Sequence, residues 1–256
     1  MTGKVAFVSG GAGGLGAAIC RRFVRDGAAV AIADIDRGRS EALTDEIVEG
    51  GGRALPVDLD SASSASVQQA VDEVVDHFGR CDFLVHGAGN TAIAPLLELA
   101  EEDWRSVLDT HLTGGFLLCQ SIGRQLVRQG EGGRVVLISS VGAMVPVPDR
   151  GAYSPAKAGL IALAQMLSIE WAPYDINVNA ICPGVTRTPM VQEIYRQRPE
   201  LRDQRIRRFP MKREAVPEEI ADLTVFLCGD GSTYISGTAI TIDGGFINAG
   251  FMPEDE

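Results

Sequence analysis

The stretch that decides the fold is Ser9-Gly10-Gly11-Ala12-Gly13-Gly14-Leu15-Gly16. The apolar run Val5–Ser9 leads into it, and the helical sequence Ala17-Ala18-Ile19-Cys20 follows it. A strand, a glycine-rich turn and a helix in this order direct free helix N–H groups towards an anion. Glycine is needed at such a turn because any Cβ would block the close approach of a pyrophosphate. The pattern predicts a dinucleotide site, although a glycine-rich turn taken alone is also compatible with a plain turn.

An acidic residue ends the next predicted strand, 18 residues after Gly16. At this distance, the Asp34 carboxylate is placed to accept hydrogen bonds from the ribose hydroxyls of an adenosine. The same charge would repel a 2′-phosphate, so we expect NAD rather than NADP. Arg37 and Arg39 leave room for NADP, since arginine accommodates that phosphate. Asp58 ends the third predicted strand and is either an adenine contact or an ordinary turn residue.

Apolar runs of strand length alternate with helix-length amphipathic segments along the whole chain. The predicted strands are Val5–Ser9, Ala28–Asp34, Arg53–Val57, Phe83–His86, Arg134–Ser139, Asn177–Ala180 and Ala239–Asp243. The predicted helices lie near 14–26, 38–49, 62–78, 101–129, 154–172 and 217–228. Runs this rich in aliphatic residues suit strands that are covered on both faces. The sequence therefore predicts a single α/β domain over residues 1–256, with a doubly wound Rossmann-type parallel sheet of seven strands between two helical layers.

The composition excludes several classes of protein. The chain has 256 residues with 34 acidic and 23 basic side chains, and the net charge of −11 disfavours nucleic-acid binding. Its five cysteines form no close pair, which argues against a disulfide framework and against a zinc or other metal site. No signal peptide and no membrane-length apolar run is apparent. We therefore expect a cytoplasmic protein without a membrane partner.

The segment from residue 189 to residue 213 interrupts the alternation of strands and helices. It holds three acidic residues against eight basic ones, namely Arg196, Arg198, Arg202, Arg205, Arg207, Arg208, Lys212 and Arg213. Insertions of this size often act as lids, and we expect this one to cover the substrate. Its arginines either point inward at an acidic group or form a solvated helix face. The adjacent Arg187 is the best single candidate for touching an acidic group, unless it neutralises the pyrophosphate.

A tyrosine and a lysine stand four residues apart at the start of a predicted helix. Tyr153 and Lys157 therefore share one helix face. An ammonium group close to a phenol favours the phenolate and lowers its pKa. A phenol tuned in this way can exchange a proton with an alcohol or a carbonyl near neutral pH. Ser140 follows the preceding strand, at the sheet edge where doubly wound folds bind their ligands.

A set of short motifs spans nearly the whole chain in a fixed order. The set consists of Ser9-Gly10-(x)3-Gly14-x-Gly16, Asp34, Asp58, Ala88-Gly89, Ser140, Tyr153-(x)3-Lys157, Cys182-Pro183-Gly184-(x)3-Thr188 and Thr241-Ile242-Asp243-Gly244-Gly245. Together these motifs resemble the short-chain dehydrogenase/reductase family, in its shorter NAD(P)-dependent form.

The resemblance implies a role for each matching residue. Tyr153 would be the general acid and base, and Ser140 would bind the substrate oxygen. Lys157 would lower the pKa of the tyrosine and hold the nicotinamide ribose, while Val185 and Thr188 would fix the carboxamide. The implied cofactor-binding residues are Gly10, Gly14, Leu15, Gly16, Asp34, Asp58, Leu59, His86, Ala88, Gly89, Tyr153, Lys157, Pro183, Gly184, Val185 and Thr188.

The chain departs from the family pattern at two histidines. His86 stands where the family usually has asparagine in an Asn-Asn-Ala-Gly sequence, and its cofactor contact there is mainly through the backbone. His111 stands at the position of the family's fourth catalytic residue, an asparagine that holds a water. Imidazole also binds water and titrates near pH 6.5. Either His111 joins the proton relay and adds a pH dependence near neutrality, or it is a packed histidine that leaves the relay weaker.

The resemblance predicts hydride transfer between a nicotinamide cofactor and a secondary alcohol or ketone. The substrate classes that fit are a cyclic alcohol, a diol, a polyol and a hydroxy acid. A 3-oxoacyl carrier-protein reductase is the alternative among enzymes, and a non-catalytic dinucleotide-binding sensor or scaffold is the alternative outside them. Members of the family are mostly tetramers, and the helix near 154–172 is apolar on more than one face, so we expect a homotetramer.

Overall fold

Seven parallel strands form one sheet within residues 1–250, the part of the chain that the computed structural model describes. The sheet order is β3-β2-β1-β4-β5-β6-β7. The strands are β1 (Val5–Ser9), β2 (Ala29–Asp34), β3 (Ala54–Asp58), β4 (Phe83–His86), β5 (Gly133–Ile138), β6 (Ile176–Pro183) and β7 (Ala239–Ile242). The order reverses between β1 and β4, so the carboxyl ends of these two strands border a crevice of the kind that binds ligands in open α/β sheets.

The helices connect the strands. They are α1 (Gly14–Arg25), α2 (Arg37–Glu49), α3 (Ser64–Phe78), α4 (Glu101–Leu108), α5 (Gly114–Gln129), α6 (Tyr153–Glu170), α7 (Pro189–Gln197), α8 (Pro199–Arg207) and α9 (Pro217–Cys228). A π-helical turn, Asp109–Thr113, joins α4 to α5. Among the described residues, every helix is too short or too polar to span a bilayer.

The core has one apolar layer on each face of the sheet. Alternate residues of a strand point to opposite faces, and β1 accordingly sends Phe7 into one layer and Val8 into the other. The first layer contains buried residues of α3, α5 and α6, and the second contains those of α1, α2 and α9. All five cysteines are buried free thiols within these layers or at strand ends, and burial raises the pKa of each.

The structure confirms the predicted α/β class and the parallel sheet with helices on both faces. The strand bounds shift by one residue at most places, and β6 runs three residues further than predicted, to Pro183. The helix predicted over 101–129 is continuous but contains the π turn at 109–113. The 189–213 segment forms α7 and α8. Residues 251–256 of the predicted domain lie outside the described residues.

Candidate active site

The glycine loop between β1 and α1 is shaped by close backbone packing. Gly10 has a φ of +68°, which L side chains rarely adopt. A Cβ on Gly16 would overlap the Gly10 carbonyl oxygen, and a Cβ on Gly14 would lie 2.5 Å from the Pro189 ring. Leu15 turns into the second core layer. The loop leaves the first N–H groups of α1 open to an anion and therefore fits a pyrophosphate.

Asp34 ends β2 beside this loop and is held by two main-chain groups. Its Oδ2 accepts a hydrogen bond from Ala12 N at 3.1 Å, and its Oδ1 accepts one from Asp36 N at 3.1 Å. A carboxylate offers about four lone-pair positions. Acceptor positions therefore remain on both oxygens in a fixed orientation, which fits a pair of ribose hydroxyls.

The basic residues near Asp34 are occupied by other carboxylates. Arg37 donates to Glu41 at 2.7 Å and lies 3.4 Å from Asp58, while Arg39 lies 3.6 Å from Asp36. Asp58 is thus an exposed ion-pair partner at the end of β3, and the neighbouring Leu59 is buried. A 2′-phosphate would have to compete with these acids for the same guanidinium groups.

His86, at the end of β4, is locked in one tautomer. Its Nε2 lies 2.8 Å from the His111 carbonyl oxygen, which only accepts, so Nε2 carries the hydrogen. Its Nδ1 therefore accepts from the Ser9 hydroxyl, at 2.8 Å. Burial lowers the pKa of His86 to about 4, so the ring is neutral at pH 7.

The loop after β4 lies directly against the glycine loop. A Cβ on Gly10 would approach Ala88 N to 2.8 Å. The amide of Ala88 lies 3.4 Å from the Ser9 hydroxyl, to which it donates. A Cβ on the next residue, Gly89, would overlap the His111 ring. Ala88 and Gly89 thus stand between the glycine loop and the π turn.

His111 lies in the π turn, buried against the tyrosine of the predicted site. Its Nε2 lies 2.9 Å from the Asn90 carbonyl oxygen, and its ring meets the Tyr153 ring edge-on at 5.6 Å. Its Nδ1 has no hydrogen-bond partner among the described residues. Burial, followed by the positive charge of Lys157, lowers the pKa of His111 to about 3. This burial disfavours the charged ring that a pH dependence near neutrality would require, and the role of His111 in the proton relay stays a prediction.

Ser140 and Tyr153 meet in front of β5. The Ser140 hydroxyl accepts a hydrogen bond from Gly142 N at 3.0 Å and shares a second one with the Tyr153 hydroxyl. Burial raises the pKa of Tyr153. The Ser140 hydrogen bond and the positive charge of Arg150 oppose that rise. A hydroxyl pair of this kind can bind one substrate oxygen and exchange a proton with it.

Lys157 lies one turn of α6 after Tyr153, and its buried surroundings disfavour the charged form of its amine. Its Nζ donates to the Ile138 carbonyl oxygen at 2.7 Å and lies 5.6 Å from the centre of the Tyr153 ring. The Ser139 hydroxyl donates to the Lys157 carbonyl at 2.7 Å and fixes the backbone. Desolvation lowers the pKa of Lys157 to about 7.

The chain after β6 closes the crevice opposite the glycine loop. Pro183 is the buried end of β6, and a Cβ on Gly184 would lie 2.9 Å from the Asp243 backbone. Val185 accepts a hydrogen bond from Ala215 N at 3.1 Å through its carbonyl. Thr188 borders the position at which a Cβ on Gly14 would stand. Thr188, one of the two residues predicted for the carboxamide, thus lies beside the predicted pyrophosphate loop.

Sequence reasoning missed one charged residue of the site. Arg150 lies three residues before Tyr153, and its carbonyl accepts a hydrogen bond from Tyr153 N at 3.0 Å. No pattern marks an arginine in a loop of this kind. Arg187, the candidate favoured from the sequence, is exposed.

The whole chain resembles known oxidoreductases. A family model described as enoyl-(acyl carrier protein) reductase matches residues 10–247. D-threitol dehydrogenase of Mycolicibacterium smegmatis is 37% identical over 246 residues, which covers 96% of this chain and 94% of that protein. The 3-oxoacyl-acyl-carrier-protein reductase of Thermotoga maritima is 34% identical over 247 residues, which covers 96% and 99%.

The fold is also similar to a solved structure with a cofactor bound. The crystal structure of an NAD⁺-bound xylitol dehydrogenase superposes with a TM-score of 0.91 at 32% identity. The match covers 95% of this chain and 99% of that one.

Proposed function

The chain belongs to the short-chain dehydrogenase/reductase family of oxidoreductases, and on that premise we propose that it transfers hydride between NAD and a secondary alcohol or ketone. The observation that carries the proposal is the hydrogen-bonded pair of Ser140 and Tyr153, with the Lys157 amine beside it and the glycine loop across the crevice. An alcohol oxygen placed at this pair would meet both a hydrogen-bond donor and a proton acceptor.

In this proposal, Tyr153 and Ser140 bind the substrate oxygen and transfer its proton. During oxidation, the ionised Tyr153 oxygen takes the proton of the alcohol hydroxyl group, while the Ser140 hydroxyl holds the substrate oxygen and stabilises the charge that develops there. The nicotinamide cofactor, when bound, accepts the hydride in this direction and supplies it in the reverse one. During reduction, Tyr153 returns the proton to the carbonyl oxygen.

Burial raises the pKa of Tyr153, and the Ser140 hydrogen bond and the positive charge of Arg150 oppose that rise. The Lys157 amine lies 5.6 Å from the centre of the phenol ring, and when it is protonated its charge would also favour the phenolate. In this proposal, His111 takes part only as a neutral ring, whose Nδ1 accepts a hydrogen bond from a water that leads the proton towards solvent.

We propose NAD as the cofactor because of the charges at the end of β2. Asp34 keeps free acceptor positions on both oxygens, while Arg37 and Arg39 are engaged by Glu41, Asp58 and Asp36. A 2′-phosphate would meet the Asp34 charge without a free cation to balance it. The five free thiols suit a cytoplasmic location.

We propose that α7 and α8, in the 189–213 segment, form the lid of a single domain. Pro189, the first residue of α7, contacts Gly14 at the glycine loop. A lid anchored at this point would cover the crevice from the side of β6.

The exposed faces of α5 and α6 support a homotetramer. Phe116 and Val127 on α5, and Met166 and Ile169 on α6, leave large apolar side chains exposed on neighbouring helices. We expect the wild-type protein to sediment as a tetramer at micromolar concentration, and Ile169→Asp to dissociate it. Val48→Asp, at another exposed apolar site, is the matched control. A monomeric wild-type protein would contradict the assembly.

Turnover of an alcohol panel tests the function. Purified protein is offered secondary alcohols, cyclic diols, polyols and hydroxy acids with NAD or NADP, and 3-oxoacyl thioesters with NADH or NADPH. Oxidation of an alcohol with NAD supports the proposal. The relative from Thermotoga maritima favours the 3-oxoacyl reductase as second candidate, and preferred turnover of thioesters with NADPH would establish that function instead. Cofactor binding without any turnover would favour the sensor.

A further inference from the structure

One buried imidazole connects the two parts of the site. His86, the last residue of β4, is 1% exposed. Its Nδ1 lies 2.8 Å from the hydroxyl of Ser9, and its Nε2 lies 2.8 Å from the carbonyl oxygen of His111. The proposed proton transfer does not use this ring. The ring nevertheless bridges the strand that leads into the glycine loop and the π turn that packs on Tyr153.

At the Ser9 end, the ring orients a hydroxyl that holds two loops together. The buried Ser9 hydroxyl donates to the ring and accepts from the N–H groups of Gly87 at 3.3 Å and of Ala88 at 3.4 Å. A hydroxyl has one hydrogen and two lone pairs, so these three contacts use all of them. The backbone of Ala88 in turn packs on Gly10, where a Cβ would lie 2.8 Å from Ala88 N. The loop after β4 is thus fixed against the glycine loop.

At the other end, the ring reaches the helix at the point where its hydrogen-bond ladder changes. The carbonyl of His111 accepts the N–H of Gly114 and also the Nε2–H of His86. Helices are distorted where a side chain inserts into the ladder in this way. A Cβ on Gly115 would lie 3.1 Å from the Cδ2 atom of His86, so the glycine leaves room for the ring. On the same turn, the His111 ring meets the Tyr153 ring edge-on at 5.6 Å.

The two bonds require opposite roles from the two ring nitrogens. The His111 carbonyl only accepts, so Nε2 of His86 donates and Nδ1 accepts from Ser9. A neutral imidazole supplies both roles. An asparagine amide is shorter, and it can place an acceptor near the position of Nδ1 but no donor near that of Nε2. A glutamine amide is one methylene longer, and it can place a donor near Nε2 but no acceptor near Nδ1. Histidine alone among these three side chains serves both partners.

We propose that His86 is a positioning residue, whose ring joins the loops of the cofactor side to the π turn that holds His111 against Tyr153. This inference rests on the proposed function, because it concerns the alignment of the group that exchanges the proton with the bound cofactor. The ring acts through Ser9 and through the His111 carbonyl, and it does not touch the substrate.

Two variants of nearly the same shape separate the two bonds. His86→Asn keeps the acceptor for Ser9 and removes the donor to the π turn. His86→Gln keeps the donor and removes the acceptor. His77→Gln, at an exposed histidine of α3, is the matched control. We would measure kcat and the KM for NAD with the best alcohol, together with the melting temperature of each variant.

We expect the two variants to affect different constants. His86→Asn should lower kcat by about 10- to 100-fold, because a small displacement of the π turn misplaces the reacting groups. His86→Gln should keep more of kcat and raise the KM for NAD by about 2- to 10-fold, which corresponds to one neutral hydrogen bond. His77→Gln should match the wild-type protein. Undiminished kcat in His86→Asn would overturn the proposal. Equal losses of kcat in both His86 variants, in step with their melting temperatures, would show support of the fold alone and would also overturn it.

A spectroscopic measurement separates this inference from the proposed function. In protein with 15N-labelled histidine, two-bond nitrogen–hydrogen correlations identify the ring nitrogen that carries the hydrogen. The signal that His86→Gln removes should belong to a ring with its hydrogen on Nε2. A hydrogen on Nδ1 would overturn the proposal, since Nε2 could not then donate to the His111 carbonyl. A protein with the expected tautomer that turns over no alcohol or ketone would refute the proposed function instead. Weaker NADH binding by His86→Gln than by His86→Asn would then still support the link.

Discussion

The two sides of the crevice treat charge in opposite ways. At the end of β2, each oxygen of Asp34 is fixed by a main-chain N–H, and the nearby arginines are already paired with acids. At the turn before α6, the half-buried Arg150 places a positive charge whose effect opposes the rise that burial causes in the pKa of Tyr153. The first side is a hydrogen-bonding surface suited to neutral hydroxyls, whereas the second brings a positive charge to the phenol that exchanges the proton.

The largest effect is expected at the phenol that stands between the two sides. Tyr153→Phe removes the proton acceptor and should lower kcat by about 1000-fold, within the usual range for general acid–base groups. The binding of NADH, measured by fluorescence titration, should stay within about twofold, since the acidic side is untouched. Tyr234→Phe, at a fully exposed tyrosine, is the matched control. Undiminished oxidation by Tyr153→Phe would refute the chemistry.

The acidic side is tested by removing its charge. Asp34→Asn keeps the side-chain shape but should lower the ratio of kcat/KM for NAD over NADP by about 10- to 100-fold, because the repulsion of a 2′-phosphate disappears. Asp76→Asn, on an exposed part of α3, should leave the ratio unchanged. A preference for NADP already present in the wild-type enzyme would contradict the assignment of Asp34.

The smallest expected effect is on the pH dependence of stability, and it comes from the neutral ring of His111. The pKa of His111 is about 3 in the folded protein, below the value near 6.5 expected for an unfolded chain. Below pH 6.5, His111 binds a proton in the unfolded state but not in the folded state. The free energy of unfolding therefore falls as the pH falls. Between pH 7 and pH 5.5 this amounts to about 1 kcal/mol.

Urea unfolding at these two pH values tests that loss. His111→Asn should reduce the loss of stability between pH 7 and pH 5.5 by that amount, while His77→Asn, at an exposed histidine of α3, should not. An unchanged pH dependence in His111→Asn would show that the pKa of His111 is the same in the folded and the unfolded state, despite its burial.

The sheet could be predicted from the sequence because its signal is local and repeated. A strand as aliphatic as Val5–Ser9 must be covered on both of its faces. A parallel sheet between two helical layers provides that cover. The glycine loop could also be predicted from the sequence. The backbone of Gly16 lies so close to that of Gly10 that any side chain at Gly16 would clash, and this requirement appears in the sequence as a glycine. Asp34 and Tyr153 followed from the spacing of strand ends and helix turns.

The parts that escaped prediction depend on contacts between distant segments. The π turn around His111 has no sequence signature that separates it from an ordinary helix. The pKa of His111 depends on burial against Asn90 and Tyr153, which only the folded chain brings together. The effect of Arg150 on the pKa of Tyr153 likewise depends on the folded turn before α6, and the arginine is not unusual in the sequence alone.

The buried thiols allow transient opening of the folded protein to be measured. Only the thiolate is alkylated, and both layers keep their thiols protonated and out of reach: Cys20 and Cys228 in one, Cys81 and Cys119 in the other. A reagent such as iodoacetamide therefore reacts only with molecules that have transiently come apart. Comparing the rates at which the labelled peptides appear would reveal which side of the sheet loosens first.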